Sequence, residues 1–244
     1  MRKWINRVLV FSVVLIVAFF VVVAFSLVPS EDSQPLPEFL ISAKTAEGQQ
    51  ILQDADALAD YDEMAENFES QKLTSFCGVA SSSIVLNALG KDVSQTSLFN
   101  DEASEVRPIW QVAVRGMTIQ VLAEILESHG VEVATSHADA SDLEEFRQTV
   151  IRNLSSEDDY MLVNYQREEL GQSRVGHISP IAAYNAETDR VLVMDTAAYK
   201  YPHTWVPLEG LFGAMTTIDG ESGISRGWIE VRNHVPYAEP DVSE

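Results

Sequence analysis

The chain has one cysteine, Cys77, in the segment Gln71-Lys72-Leu73-Thr74-Ser75-Phe76-Cys77-Gly78-Val79-Ala80, directly before an apolar run of helical character. A thiol at a helix start meets the positive end of the backbone dipole, which favours thiolate. His177 and then Asp195 follow downstream, each within a β-like segment. Nucleophile, base and orienting acid thus come in the order needed for cysteine-type acyl transfer. A lone cysteine is more often a small buried hydrophobe, but the neighbours of Cys77 argue for more. Gly78 lets backbone pass close to a substrate, Ser81, Ser82 and Ser83 leave room, and the Gln71 amide is within reach of an oxyanion position beside the sulfur.

His177 is one of five histidines. His129, His137, His203 and His234 sit in polar or turn-like surroundings, whereas His177 follows Gly176 and begins the strand-like Ile178-Ser179-Pro180-Ile181-Ala182-Ala183-Tyr184. Asp195 ends Val191-Leu192-Val193-Met194, so it is expected to be semi-buried and therefore paired. The turn 185–190 makes these segments antiparallel neighbours, with His177 and Asp195 at one end of the hairpin. An aspartate accepting from the imidazole would fix its tautomer and leave the other nitrogen facing sulfur.

The elements that position these groups are legible in outline. Residues 77–89 read as a buried helix stopped by Gly90. Thr118 caps a second helix that ends at Gly130, and Ser141 with Glu144 opens a third running to Leu154. Gly48 to Phe68 reads as helical and partly exposed. Strands are expected at 160–165, 177–184, 191–196 and 227–232. Helices followed by an antiparallel sheet predict an α+β domain of two lobes.

Before this domain, Arg2, Lys3 and Arg7 precede an apolar stretch from Val8 to Val28. At ~1.5 Å per residue it spans ~31 Å, about one hydrocarbon core. The charge asymmetry puts the N-terminus in the cytoplasm and the domain on the far, periplasmic side. An uncleaved anchor over 1–28 is favoured over a cleaved signal peptide, although Ala24-Phe25-Ser26 has small residues at cleavage spacing. Residues 29–37 read as a proline-rich tether, 38–232 as the catalytic domain and 233–244 as a tail.

The formal charge of −21 disfavours nucleic-acid binding. A single cysteine allows no internal disulfide and no multi-cysteine metal site.

The segments Ser70–Leu89 (SQKLTSFCGVASSSIVLNAL), Val163-Asn164-Tyr165, Gly176-His177-Ile178-Ser179-Pro180 and Val191–Val206 (VLVMDTAAYKYPHTWV) resemble the phytochelatin synthases, as does Ser225-Arg226-Gly227. The resemblance covers roughly residues 38–232 and implies a papain-like cysteine peptidase fold, with Cys77 as nucleophile, His177 as base and Asp195 as third member. It matches Gln71 to the oxyanion glutamine, places Asp219 and Arg226 around the γ-glutamyl end of the substrate, and puts Asn164 near the site. Eukaryotic members carry a cysteine-rich extension after this region. This chain stops at Glu244, so the resemblance is to short bacterial homologues that favour hydrolysis of glutathione over polymerisation. The expected activity is thiol-dependent cleavage of glutathione at its Cys–Gly bond, with release of γ-glutamylcysteine to water or to a second glutathione. No cofactor or metal bound by the protein is expected; cadmium or zinc would arrive as a glutathione thiolate. The expected partners are glutathione, the membrane through residues 8–28, and a second copy in a homodimer. Two alternatives stay open: a membrane-tethered peptidase acting on other exported peptides, and a non-catalytic binding domain with Cys77 inert.

Overall fold

The computed structural model describes Phe11, Val14, and residues 27–138 and 143–234. In chain order it forms β1 (Ile41–Ser42), α1 (Ala46–Gln53), α2 (Tyr61–Glu66), α3 (Cys77–Ala88), α4 (Asp101–Val106), α5 (Ile109–Arg115), α6 (Ile119–Glu127) and β2 (Val131–His137). There follow α7 (Leu143–Leu154), β3 (Asp159–Gln166), a 3-10 turn (Arg167–Leu170), β4 (Gly176–Asn185), β5 (Arg190–Val193), β6 (Thr204–Pro207), α8 (Leu208–Met215) and β7 (Gly227–Asn233). The strands make a seven-stranded sheet in the order β1-β6-β5-β4-β3-β7-β2, with every neighbouring pair antiparallel. The class is α+β, as expected.

Alternation along β3 explains the layering. Tyr160 and Leu162 point to one face and pack with Val79 and Leu86 of α3 and Leu122 and Ile125 of α6. Met161, Val163 and Tyr165 point to the other face, against Phe146 and Val150 of α7 and Leu211 and Phe212 of α8. Helix α3 is buried from Gly78 to Leu86, which is why its apolar residues occupy nearly all faces. Thr118 caps α6 by accepting from the Val121 N–H at 3.3 Å. The capping residue expected for α7, Ser141, lies outside the described residues.

Several boundaries differ from expectation. The acidic stretch 48–68 is two helices, broken where Ala57 bridges Tyr184 and donates to its carbonyl. Strand β5 stops at Val193 rather than continuing to residue 196. Beyond it, the Met194 N–H still bonds to the Pro180 carbonyl, and the chain turns so that the Asp195 carboxylate accepts the Ala197 N–H at 2.8 Å. Strands β1, β2 and β6 extend the sheet at both edges beyond the strands read from sequence.

Most of the apolar N-terminal run lies outside the described residues, as does the tail from 235 onward. Among the described residues no helix is long and apolar enough to cross a membrane. The stretch read as a tether lies against the domain: the Thr74 N–H donates to Leu27 and the Gln34 N–H to Lys200, both at 2.9 Å.

Candidate active site

Cys77 is the first residue of α3, and Phe76 at the cap position supplies no side-chain bond. The Cys77 N–H finds no acceptor among the described residues, as expected for a first-turn amide. Gly78 serves packing. A Cβ there would lie 2.9 Å from Met117 Sδ and 3.3 Å from Ile178 Cδ1. The serines also serve packing: Ser81 Oγ donates to the Cys77 carbonyl at 2.8 Å and to Ile178 at 3.2 Å, clamping α3 onto β4.

That clamp brings Cys77 to His177, which opens β4 opposite Tyr165. His177 Nε2 lies 3.1 Å from Asp195 Oδ1, and both side chains are buried. Its N–H is not well aligned along that line, and the same Oδ1 also takes Arg167 Nη2 at 2.7 Å and the Ala197 N–H at 2.8 Å. The structure thus brings Cys77, His177 and Asp195 together and adds Arg167, for which the sequence offered no candidate. This arginine is buried in the 3-10 turn after β3, donates to Gln172 Oε1 at 2.7 Å, and stacks 4.9 Å from the Tyr201 ring centre.

The charges are mutually dependent. Burial opposes ionisation of Asp195, but Arg167 and then His177 overcome it and hold the carboxyl well below the usual carboxylate range. Burial and the Arg167 charge work against protonation of His177, yet Asp195 and Cys77 bring its net shift upward. Burial raises the Cys77 thiol, while the His177 bond and charge, with backbone bonds at Ile178 and Gly78, lower it below its ordinary value. Both shifts act in the direction of a thiolate–imidazolium pair, backed by a carboxylate that a second, permanent cation keeps ionised.

These groups open on a cavity of about 900 Å³. Gln71 and Asn164 line it. Gln71 Nε2 donates to the Leu73 and Thr74 carbonyls at 3.0 and 2.9 Å, so facing an oxyanion requires exchanging one of these bonds. Asn164 is buried on β3 opposite Ile178, and its amide makes no hydrogen bond among the described residues. Arg226 and Asp219 occupy the same cavity and pair with each other, Nη1 to Oδ2 at 3.0 Å, while Arg226 Nη2 donates to Gln166 at 3.1 Å. Gly176 admits this arginine, since a Cβ there would lie 2.9 Å from Arg226 Nη2. Five of the chain's 16 Lys and Arg residues line the cavity, against three carboxylates, so a strongly acidic protein gathers positive charge here. Among the described residues no group of three or more His, Cys, Asp or Glu could hold a metal ion.

The family model described as Phytochelatin synthase matches residues 31–228. Glutathione gamma-glutamylcysteinyltransferase 3 of Lotus japonicus is 34% identical over 198 residues, covering 78% of this chain and 41% of that protein. Glutathione gamma-glutamylcysteinyltransferase 2 of Arabidopsis thaliana is 33% identical over 203 residues, covering 80% and 44%. The glutathione gamma-glutamylcysteinyltransferase of Schizosaccharomyces pombe is 26% identical over 186 residues, covering 73% and 45%. The chain spans less than half the length of these relatives. Among solved structures, the peptidase domain of Streptococcus ComA aligns with a TM-score of 0.43 and 15% identity, covering 68% of this chain and 97% of that domain.

Proposed function

Because this chain belongs to the phytochelatin synthase family, we propose that it cleaves glutathione at the Cys–Gly bond through a thioester on Cys77. The observation that carries the reading is the Cys77–His177–Asp195 relay, with buried base and acid and a half-buried thiol, opening on a cavity rich in cations. We read the arrangement as papain-like, a nucleophile at a helix start packed against an antiparallel sheet that bears the base and the acid.

The Cys77 thiolate attacks the carbonyl between cysteine and glycine, and the C–N bond breaks as the tetrahedral intermediate collapses. The unpaired Cys77 N–H stabilises the oxyanion, joined by Gln71 once it releases a backbone carbonyl. The imidazolium of His177 gives its proton to the departing glycine amine, then takes one from the acceptor that attacks the thioester. Asp195 keeps the imidazole oriented through both transfers. Water as acceptor yields γ-glutamylcysteine; a second glutathione amine yields a chain-extended peptide, and the cavity has room for a tripeptide and more.

The γ-glutamyl end of glutathione carries an ammonium beside a carboxylate. The Asp219–Arg226 pair offers the opposite charges side by side, and Asn164 a free amide nearby. Cadmium or zinc would enter as part of a glutathione thiolate complex, and no resident cofactor is invoked. The apolar run 8–28 would hold the domain on the non-cytoplasmic side of a membrane.

The test is mass-spectrometric analysis of glutathione products with and without cadmium, using the full chain and its Cys77→Ala variant. The reading requires glycine and γ-glutamylcysteine from the parent and neither from the variant. Cleavage of unrelated peptides without glycine release from glutathione would point to a general peptidase instead.

A further inference from the structure

The end of the apolar N-terminal run lies at the catalytic cavity. The Leu27 carbonyl accepts from Thr74, three residues before the nucleophile, and Val28, Ser30 and Asp32 line the cavity. Leu27 and Val28 are also the last residues of the apolar run. Of the rest of that run, Phe11 and Val14 are described, and both are exposed rather than packed into the domain.

The rim of the same cavity is apolar and uncovered. Helix α5 turns Trp110 and Val114 outward, 65% and 64% exposed and one turn apart, and Val114 lines the cavity. The facing loop between α8 and β7 exposes Ile218, at 62%, and Ile224, on either side of the cavity residues Asp219 and Glu221. An Arg107–Glu221 ion pair fastens that loop to the start of α5. Val175 completes the rim, with Arg115, Arg174 and Lys200 around it. A tryptophan, aliphatic side chains and flanking cations around one opening form the composition that settles at a bilayer interface.

We infer that the mouth of the catalytic cavity faces the bilayer, with the Trp110–Val114 face of α5 and the Ile218–Ile224 loop resting in its interfacial zone. The inference rests on reading residues 8–28 as a membrane anchor and goes beyond it by fixing the orientation of the domain. A span ending at Val28 leaves no length of chain between the membrane boundary and the cavity. Substrate would therefore reach Cys77 from the interface rather than from bulk solvent.

The test uses the full chain carrying Trp4→Phe, reconstituted in phosphatidylcholine vesicles with or without acyl chains brominated near the headgroup. Trp205 and Trp228 are buried, so Trp110 is the reporter. The expected result is co-flotation with the vesicles and bromine quenching of up to about a third of the emission, one tryptophan of the three left, which disappears when Trp110→Phe is added. Co-flotation with equal quenching in both variants would overturn the orientation while leaving the anchor standing. Failure to float would overturn the anchor and the orientation together.

Discussion

Asp60 and Asp195 are both 2% exposed, and their surroundings are opposite. Asp195 meets Arg167, His177 and a backbone N–H, and its carboxyl stays ionised far below the usual range despite burial. Among the described residues Asp60, before α2, receives only the Asp158 N–H at 3.0 Å, and its Oδ2 has no partner. Burial, with Asp159, Asp158 and Glu63 adding repulsion, pushes Asp60 up to about 7. The same residue type at the same depth is thus a fixed anion in one place and an acid that titrates around neutral pH in the other. The difference is the buried arginine, and a relay that must stay charged near neutral pH depends on it.

The comparison can be broken most severely at the relay. Cys77→Ala should abolish glycine release, a loss of at least about 10³-fold in turnover by product assay. Arg167→Met should make Asp195 resemble Asp60. Removing one member of a buried charge pair lowers stability by about 3 to 5 kcal/mol, read by urea unfolding, and Asp195→Asn in the same chain should restore part of that loss. Because Arg167 also opposes protonation of His177, a folded Arg167→Met enzyme should show its pH–rate profile displaced.

The pH dependence of stability sharpens the contrast. Asp195 has a depressed folded pKa, so its contribution is present above the ordinary carboxylate range and is lost as pH falls through the folded value. Asp60 has a raised one, so its contribution is present below the ordinary 3.8 and is lost as pH rises through about 7. Asp60→Asn keeps an acceptor for Asp158 and removes the charge. Unfolding at pH 5 and pH 8 should show the variant gaining on the parent at the higher pH, by on the order of 2 kcal/mol.

The smallest effect is expected at Gly176→Ala, where the new Cβ displaces the Arg226 guanidinium. The KM for glutathione should rise several-fold while iodoacetamide alkylation of Cys77 stays unchanged. Equal loss in both would show that the substitution disturbs His177 instead.

The sequence carried the relay because each member sits at a local transition: Cys77 before a helix, His177 at a strand start, Asp195 after an apolar run. Arg167 had no such signal. It lies among Gln166, Glu168 and Glu169, which reads as a solvated turn, and its partner Asp195 is distant in sequence. The pairing of Arg226 with Asp219 was likewise invisible, because no periodicity in the segment between α8 and β7 fixes which of its side chains face each other. The edge strands were missed for another reason. In β2, Val131 and Val133 alternate with polar residues but give way to Ala134, Thr135 and Ser136, too weak a period to separate from a loop. Gly78 and Ser81 were read only for access to substrate, and the structure gives each a packing role as well: Gly78 against Met117 and Ile178, Ser81 against β4.

The central claim is that Cys77 becomes acylated by the γ-glutamylcysteinyl group. Intact-protein mass spectrometry of the full chain, acid-quenched during turnover with glutathione, tests it most directly. The account predicts an adduct on Cys77 equal to γ-glutamylcysteine minus water, resistant to a phosphine reductant and released by hydroxylamine. An unmodified Cys77 throughout glycine release, or only a reducible glutathione disulfide, would contradict it.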